Sequence, residues 1–302
     1  KGRKLYGGGD SVRESGLRCF SSVTGISENS CVRLKELIKI NKNNPSYVNN
    51  KLIHLVSDTN FLISAYETIK SNTGNSTPGA DPKILHEIDL NWFFTTSKKL
   101  KADKYVFKPA RRLHTLKSRK KGERPLIISS ARDKVVQHAI YLILNAIYEP
   151  SFLESSHGSR FNRGTYTALK DIKDKFQDVK WCIKADIESN FSNINHKILL
   201  NLLSKRICCS KFLGLIKKSI KAGYKDKDKF VFSNKGLFQG NIISPILNNI
   251  YLHQLDSFVF DIAKTFIQEK NQKKSKDFRQ IIYQMEKAAG DIPKLKKLRR
   301  EL

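Results

Sequence analysis

A chain of 302 residues with 39% hydrophobic content is long enough to bury one large core or two smaller ones. Lys and Arg number 56 against 28 Asp and Glu, a formal net charge of +28 that repels itself and has no use in an enzyme of small neutral metabolites. The excess points to a polyanion. Because the basic residues are spread through structured-looking segments and not gathered on one amphipathic helix, nucleic acid is favoured over a membrane surface.

Residues 1–30 are rich in Gly and Ser, and Gly7-Gly8-Gly9 precedes no helical pattern, so residues 1–45 are expected to form a poorly defined tail. From 46 to 70, apolar residues at 52, 55, 56, 62, 63 and 66 recur at helical spacing, and the Gly, Pro, Ser and Thr of 72–82 end the pattern. A second helical stretch, 82–101, carries Leu85, Ile88, Trp92 and Phe93. Residues 105–116 read as an extended, strongly basic strand, Lys120-Lys121-Gly122 as a turn, and 124–129 as the returning strand of a hairpin. Residues 131–148 form a long helix closed by Pro150; this most apolar run is interrupted by Gln137, His138 and Asn145, so it reads as packed helix, and neither a membrane span nor a membrane partner is expected. Residues 181–187 read as a short apolar strand ending in Asp186, and 196–208 as the following helix. A carboxylate at the end of a buried strand is costly unless paired or cation-bound, which makes Asp186 the first catalytic candidate. Its alternative is a turn-capping role. Residues 257–302 are lysine-rich and weakly periodic. Cysteines at 19, 31, 182, 208 and 209 are odd in number and lack two-residue spacing, so neither a disulfide framework nor a zinc site is expected, and a reducing compartment is.

Several blocks stand in a fixed order. They are Ala65-Tyr66-Glu67-Thr68-Ile69-Lys70-Ser71, Thr77-Pro78-Gly79-Ala80-Asp81, Tyr105 to Arg112, Arg124-Pro125-Leu126, Arg132 to Gln137, and Ser156-His157-Gly158. Asp186-Ile187 with Phe191 and His196, then Gln239-Gly240-Asn241-Ile242-Ile243-Ser244-Pro245 with Asn249-Ile250-Tyr251-Leu252, complete the series. Together they resemble the N-terminal extension, fingers and polymerase motifs A and B of group II intron reverse transcriptases and maturases, over about residues 60–256.

The resemblance implies an α+β fold: a helical N-terminal extension (46–100), fingers with a β-hairpin (101–180), an incomplete antiparallel palm sheet (181–256), and a basic insertion or linker (257–302). It implies RNA-directed DNA synthesis with Mg²⁺ and binding of an intron or template RNA. Asp186 and the Ile187 carbonyl would be metal ligands; Lys117, Arg124, Phe191, Gln239 and Gly240 would meet the incoming nucleotide, with Phe191 excluding a 2′-hydroxyl. Lys108, Arg111, Arg112, Lys120 and Lys121, interleaved with Tyr105 and Phe107, would contact RNA phosphates and stack on unpaired bases. Ordinary core or turn roles are the alternatives for Phe191 and Gly240.

Departures from the family pattern are Ser192 where Asp is usual, Phe238 where Pro is usual, and Ser159 and Phe161 where Phe and Pro are usual. The Tyr-Ala-Asp-Asp motif, source of the other metal-binding carboxylates, is absent from the sequence. A second chain or downstream segment bearing the rest of palm, thumb and maturase domain is therefore an expected partner. The competing expectation is a non-catalytic RNA-binding scaffold or remnant within a ribonucleoprotein. Lys- and Asn-rich composition and organellar-like blocks lead to a mitochondrial location, with the bacterial cytoplasm as alternative.

Overall fold

The computed structural model describes residues 28–287 except 72–76, 83, 117–122, 178, 180, 181, 228 and 233. The expected tail yields a helix instead, α1 (Glu28–Asn43). Its lysines and asparagines leave few apolar residues to mark a period. What anchors it is tertiary: Leu34 is buried, and Asn41 exchanges side-chain hydrogen bonds of 2.9 and 3.0 Å with Asn49, while Arg206 donates to Asn41 Oδ1 at 2.7 Å. Asn49 is further bound through its backbone to Arg206 and Cys208. Next come α2 (Leu52–Val56), α3 (Thr59–Lys70) and α4 (Leu90–Lys101). Asp58 caps α3 by accepting from the Phe61 amide at 3.0 Å, and Asp89 caps α4 by accepting from the Trp92 amide at 2.8 Å.

Helix α5 (Ala131–Tyr148) is the centre of the first compact unit, and α1, α2 and α3 pack on it. The helix is enclosed on most of its surface: Val135, Val136, Ala139, Ile140, Ile143, Leu144 and Ile147 are fully buried, and Asp133, Lys134, Gln137 and His138 are buried with them. It stops where expected, passing into a 3₁₀ turn, Glu149–Ser151, that contains the proline. Helix α6 (Thr165–Lys175) buries no residue; Tyr166, Leu169 and Ile172 lie exposed along it.

Strands β1 (Ala110–Leu116) and β2 (Glu123–Ile128) form the expected antiparallel hairpin, in register from Arg111 with Ile128 to Leu116 with Glu123. The rest of the sheet differs from expectation. After the single turn α7 (Asn190–Asn193), α8 (His196–Ser204) and α9 (Ser210–Ile220), a short hairpin of β3 (Tyr224–Asp226) and β4 (Lys229–Val231) joins it. The order is β2-β1-β3-β4, with β1 and β3 parallel, so the sheet is mixed. Three-residue strands show no readable alternation. The strand expected over 181–187 is not formed: residues 182–187 run without ladder pairing, Ile183 is 95% exposed, and Trp181 lies outside the described residues. An extended run with no neighbour to satisfy its backbone gains nothing from strand geometry.

Helix α10 (Ser244–Lys287) runs through 44 residues and into the basic insertion or linker expected from 257. Pro245 sits in its first turn, where a missing N–H costs nothing, and no Gly or Pro follows until Gly290. Its beginning belongs to the first compact unit, residues 1–251, where Ile246, Leu247 and Ile250 are buried. From Leu252 onward it belongs to a second unit, in which Leu255, Phe258, Val259, Phe260 and Ile262 are exposed. No described helix is long and apolar enough to cross a membrane.

Candidate functional site

The blocks that stand apart in sequence meet around the start of α5. Asp133 is buried there, its Oδ1 accepting from the Tyr105 hydroxyl at 2.8 Å and its Oδ2 from the Lys108 amide at 2.9 Å. Burial pushes its carboxyl up to about 6, while the bonds from Tyr105 and Lys108 act in the opposite direction. Desolvation, reinforced by the Asp133 charge, holds the Tyr105 phenol well above its ordinary range. Lys108 Nζ reaches Asp81 Oδ2 at 3.0 Å, which also accepts from Ser130 Oγ at 3.1 Å. Lys134, buried and with its ammonium pKa lowered by desolvation, donates to the Thr77 carbonyl at 3.2 Å. The Thr77–Asp81 block is seated tightly: a Cβ on Gly79 would stand 2.7 Å from the Ser130 nitrogen.

These contacts correct three of the expected RNA contacts, Tyr105, Phe107 and Arg112. Tyr105 and Phe107 are buried against each other, ring centroids 5.1 Å apart, so neither offers a face to an unpaired base. Lys108 pairs with Asp81 and keeps its side chain exposed. Arg112 is held inside the sheet, 3.1 Å from Asp226 Oδ2 and over the Tyr224 ring. The reason is common to all three: the basic and aromatic alternation that suits a nucleic-acid strand equally suits a strand laid against a core with its cations paired beside it. Arg111 is half-buried on the neighbouring strand position, aligned with Ile128 and Lys225. Lys117, Lys120 and Lys121 lie outside the described residues, and Arg124 stands in β2 opposite Thr115.

The two polymerase-like segments are joined to each other and to the hairpin. Asn190 Nδ2 donates to Asn248 Oδ1 at 2.8 Å, the Leu237 amide donates to the Phe191 carbonyl at 2.6 Å, and His196 Nε2 bonds the Gly236 carbonyl at 2.6 Å. Phe191 itself is partly buried and packed against the core. The Ile127 amide of β2 donates to the Gln239 carbonyl at 2.8 Å, and Gly240, at φ 103°, has the Ile127 carbonyl where a Cβ would stand, 2.5 Å away. The close approach expected of Gly240 is thus made to β2. Phe238, in the usual place of proline, packs edge-on to Tyr224 at 5.7 Å. Asn249 Nδ2 ties the Gly158 carbonyl into the same assembly at 2.8 Å.

One organising residue was not singled out from sequence. Arg160, buried, donates to Glu149 Oε1 and to the carbonyls of Leu153 and Ser156 at 2.7–3.0 Å, closing the loop after α5. Its position two residues past Gly158 in a recognisable block was the available signal.

Asp186 is exposed in the unpaired 182–187 run, contrary to the buried strand end expected, and among the described residues no three His, Cys, Asp or Glu side chains converge as a metal site. The residues described do not by themselves hold a divalent ion. Cys182 and Cys208 are exposed and Cys209 buried, all three as free thiols.

The hairpin, the Gln239-Gly240 turn and the Phe191 segment meet through backbone hydrogen bonds, and the chain belongs to the reverse transcriptase (RNA-dependent DNA polymerase) family, whose model matches residues 114–269. Its relatives include proteins named for introns. It is 37% identical over 291 residues to the "Uncharacterized 91 kDa protein in cob intron" of Schizosaccharomyces pombe, covering 95% of this chain and 36% of that protein. It is 33% identical over 262 residues to the "Group II intron-encoded protein LtrA" of Lactococcus lactis subsp. cremoris, covering 87% of this chain and 44% of that one. To the "Uncharacterized mitochondrial protein ymf11" of Marchantia polymorpha it is 35% identical over 133 residues, 44% of this chain and 17% of that one. The chain therefore spans less than half the length of these relatives, which include mitochondrial and bacterial proteins.

Proposed function

We propose that these residues form the RNA-binding fingers and the first part of the palm of a group II intron reverse transcriptase and maturase, acting in RNA-directed DNA synthesis and intron splicing once the rest of the palm and thumb is joined to them. The observation that carries this reading is the seat of the Gln239-Gly240 turn on β2 at Ile127, which brings the strand bearing Arg124 and the segment bearing Phe191 to one structural junction. In it, Lys117 and Arg124 neutralise the triphosphate, Phe191 opposes a ribose 2′-hydroxyl, and Gln239 with Gly240 borders the nucleotide. Asp186 and the Ile187 carbonyl contribute to a Mg²⁺ site whose remaining carboxylates come from a polypeptide bearing a Tyr-Ala-Asp-Asp strand. Divalent ions supply charge stabilisation to nucleotidyl transfer when bound. A mitochondrial location is supported by the Lys- and Asn-rich composition and by a mitochondrial relative; a bacterial one is the alternative.

A second reading, a non-catalytic RNA-binding scaffold, is favoured by Ser192 in the place of an aspartate and by the exposure of Asp186. Primer extension separates the two. Residues 1–302 alone should not extend a primer; adding a polypeptide with the Tyr-Ala-Asp-Asp strand and a thumb should restore extension, and Asp186→Asn should abolish it. Association of that polypeptide without any extension would give the weight to the scaffold.

A further inference from the structure

Beside the Asp133 network lies a cleft of about 350 Å³ between α4 and the start of α5, to which no role falls in the reading above. This volume lies at the small end of ligand sites, roughly 300–1,000 Å³, enough for one nucleotide and too small for a duplex. Trp92, half-buried, and the exposed Val106 supply an apolar wall, while Asn91 and Thr95 offer hydrogen-bonding groups on the exposed side of α4.

The charges in the lining are unequal in availability. Asp89, exposed, is occupied in capping α4, and Asp133 is withdrawn from the cleft by burial under Tyr105 and the Lys108 amide. Lys108 is paired with Asp81. Lys99 and Arg132 have no ion-pair partner among the described residues, and both border the cleft. Helix α5 also begins there at Ser130, whose side chain bonds Asp81 and does not cap the helix. Its dipole adds to the attraction for a negative group.

We propose that this cleft seats one unpaired nucleotide of a bound RNA strand, the base against Trp92 and Val106 and a flanking phosphate between Lys99 and Arg132. An indole face beside two available cations is the combination that holds single strands without reading sequence. The inference rests on the RNA-binding reading above, and its test separates the two.

The chain has two tryptophans, so Trp181→Phe leaves Trp92 as its sole indole reporter. A short fluorescein-labelled oligouridylate would be followed by anisotropy, and Trp92 emission would be followed with the unlabelled oligonucleotide. Emission should be quenched along the same isotherm. Lys99→Glu combined with Arg132→Glu, its fold checked by circular dichroism, should remove the quench and lower the salt slope of binding by about 0.7, the share of one neutralised phosphate of a single strand. Binding by anisotropy with unchanged Trp92 emission would overturn the cleft assignment and leave RNA binding standing. A quench that survives the double charge reversal would overturn the phosphate placement. Absence of any binding would remove the RNA reading together with the cleft, and a quench by a phosphopeptide but not by oligouridylate would assign the cleft to a protein partner.

Discussion

Asp133 shows how one side chain can organise a region and tax it. Its two oxygens tie Tyr105 and the backbone at Lys108 to the first turn of α5, yet burial raises its pKa from 3.8 to about 6. The folded state therefore holds an extra proton between about pH 4 and 6. Stability from this residue is full below about pH 4 and is lost as pH rises through 6. Two pKa units correspond to about 3 kcal/mol, so the stability of the unmodified chain relative to Asp133→Asn should fall by that order between pH 4 and pH 7.5. Urea denaturation of both proteins at the two pH values measures it; a pH-independent difference would mean that the carboxyl is ionised throughout. His138, buried and stacked on Tyr141, is held neutral by desolvation, its pKa lowered to about 4. No charge-dependent role falls to it near pH 7.

Between elements, the decisive contact is backbone to backbone. The Gln239-Gly240 turn meets β2 through one hydrogen bond and a position where only glycine fits, since the left-handed φ and the Ile127 carbonyl both oppose a Cβ. Gly240→Ala should cost about 1–3 kcal/mol from the strained conformation alone, with the 2.5 Å contact adding to it. The denaturation midpoint should drop accordingly, and the amide of Ile127 should lose protection in hydrogen exchange. An unaffected midpoint would show that the turn leaves β2 freely. The hairpin and α5 were legible from sequence because their signals are local: alternation around a turn for one, and a long, mostly apolar run closed by Pro150 for the other. Helix α1 was not, because its hold comes from the Asn41, Asn49 and Arg206 amide cluster, whose members stand up to 165 residues apart.

At the scale of the whole chain, ion pairs such as Lys108 with Asp81 and Arg112 with Asp226 leave the net charge of +28 unchanged. Binding of RNA should therefore weaken steeply with salt, log K falling linearly with log salt at about −0.7 per neutralised phosphate of a single strand. A flat titration between low and physiological salt would remove phosphate contact as the source of affinity. The exposed apolar residues of α6, Tyr166, Leu169 and Ile172, mark the opposite case, a surface that charge does not explain and that the described residues leave uncovered.

Sequence alone determined the family blocks, the basic balance, the hairpin and the central helix, since each is written in residue type, order or short-range period. It also supplied Asp186 as the chemical candidate. Only the tertiary structure decided that Tyr105, Phe107 and Arg112 face inward, that Lys108 pairs with Asp81 at the surface, that β1 pairs parallel with β3, and that Gly240 answers to Ile127. The physical reason is that an alternating strand has two faces and a cation has several possible partners. Which face meets the core, and which carboxylate meets the cation, is settled by segments far away in the chain: Asp81 lies 27 residues from Lys108, and Asp226 lies 114 from Arg112.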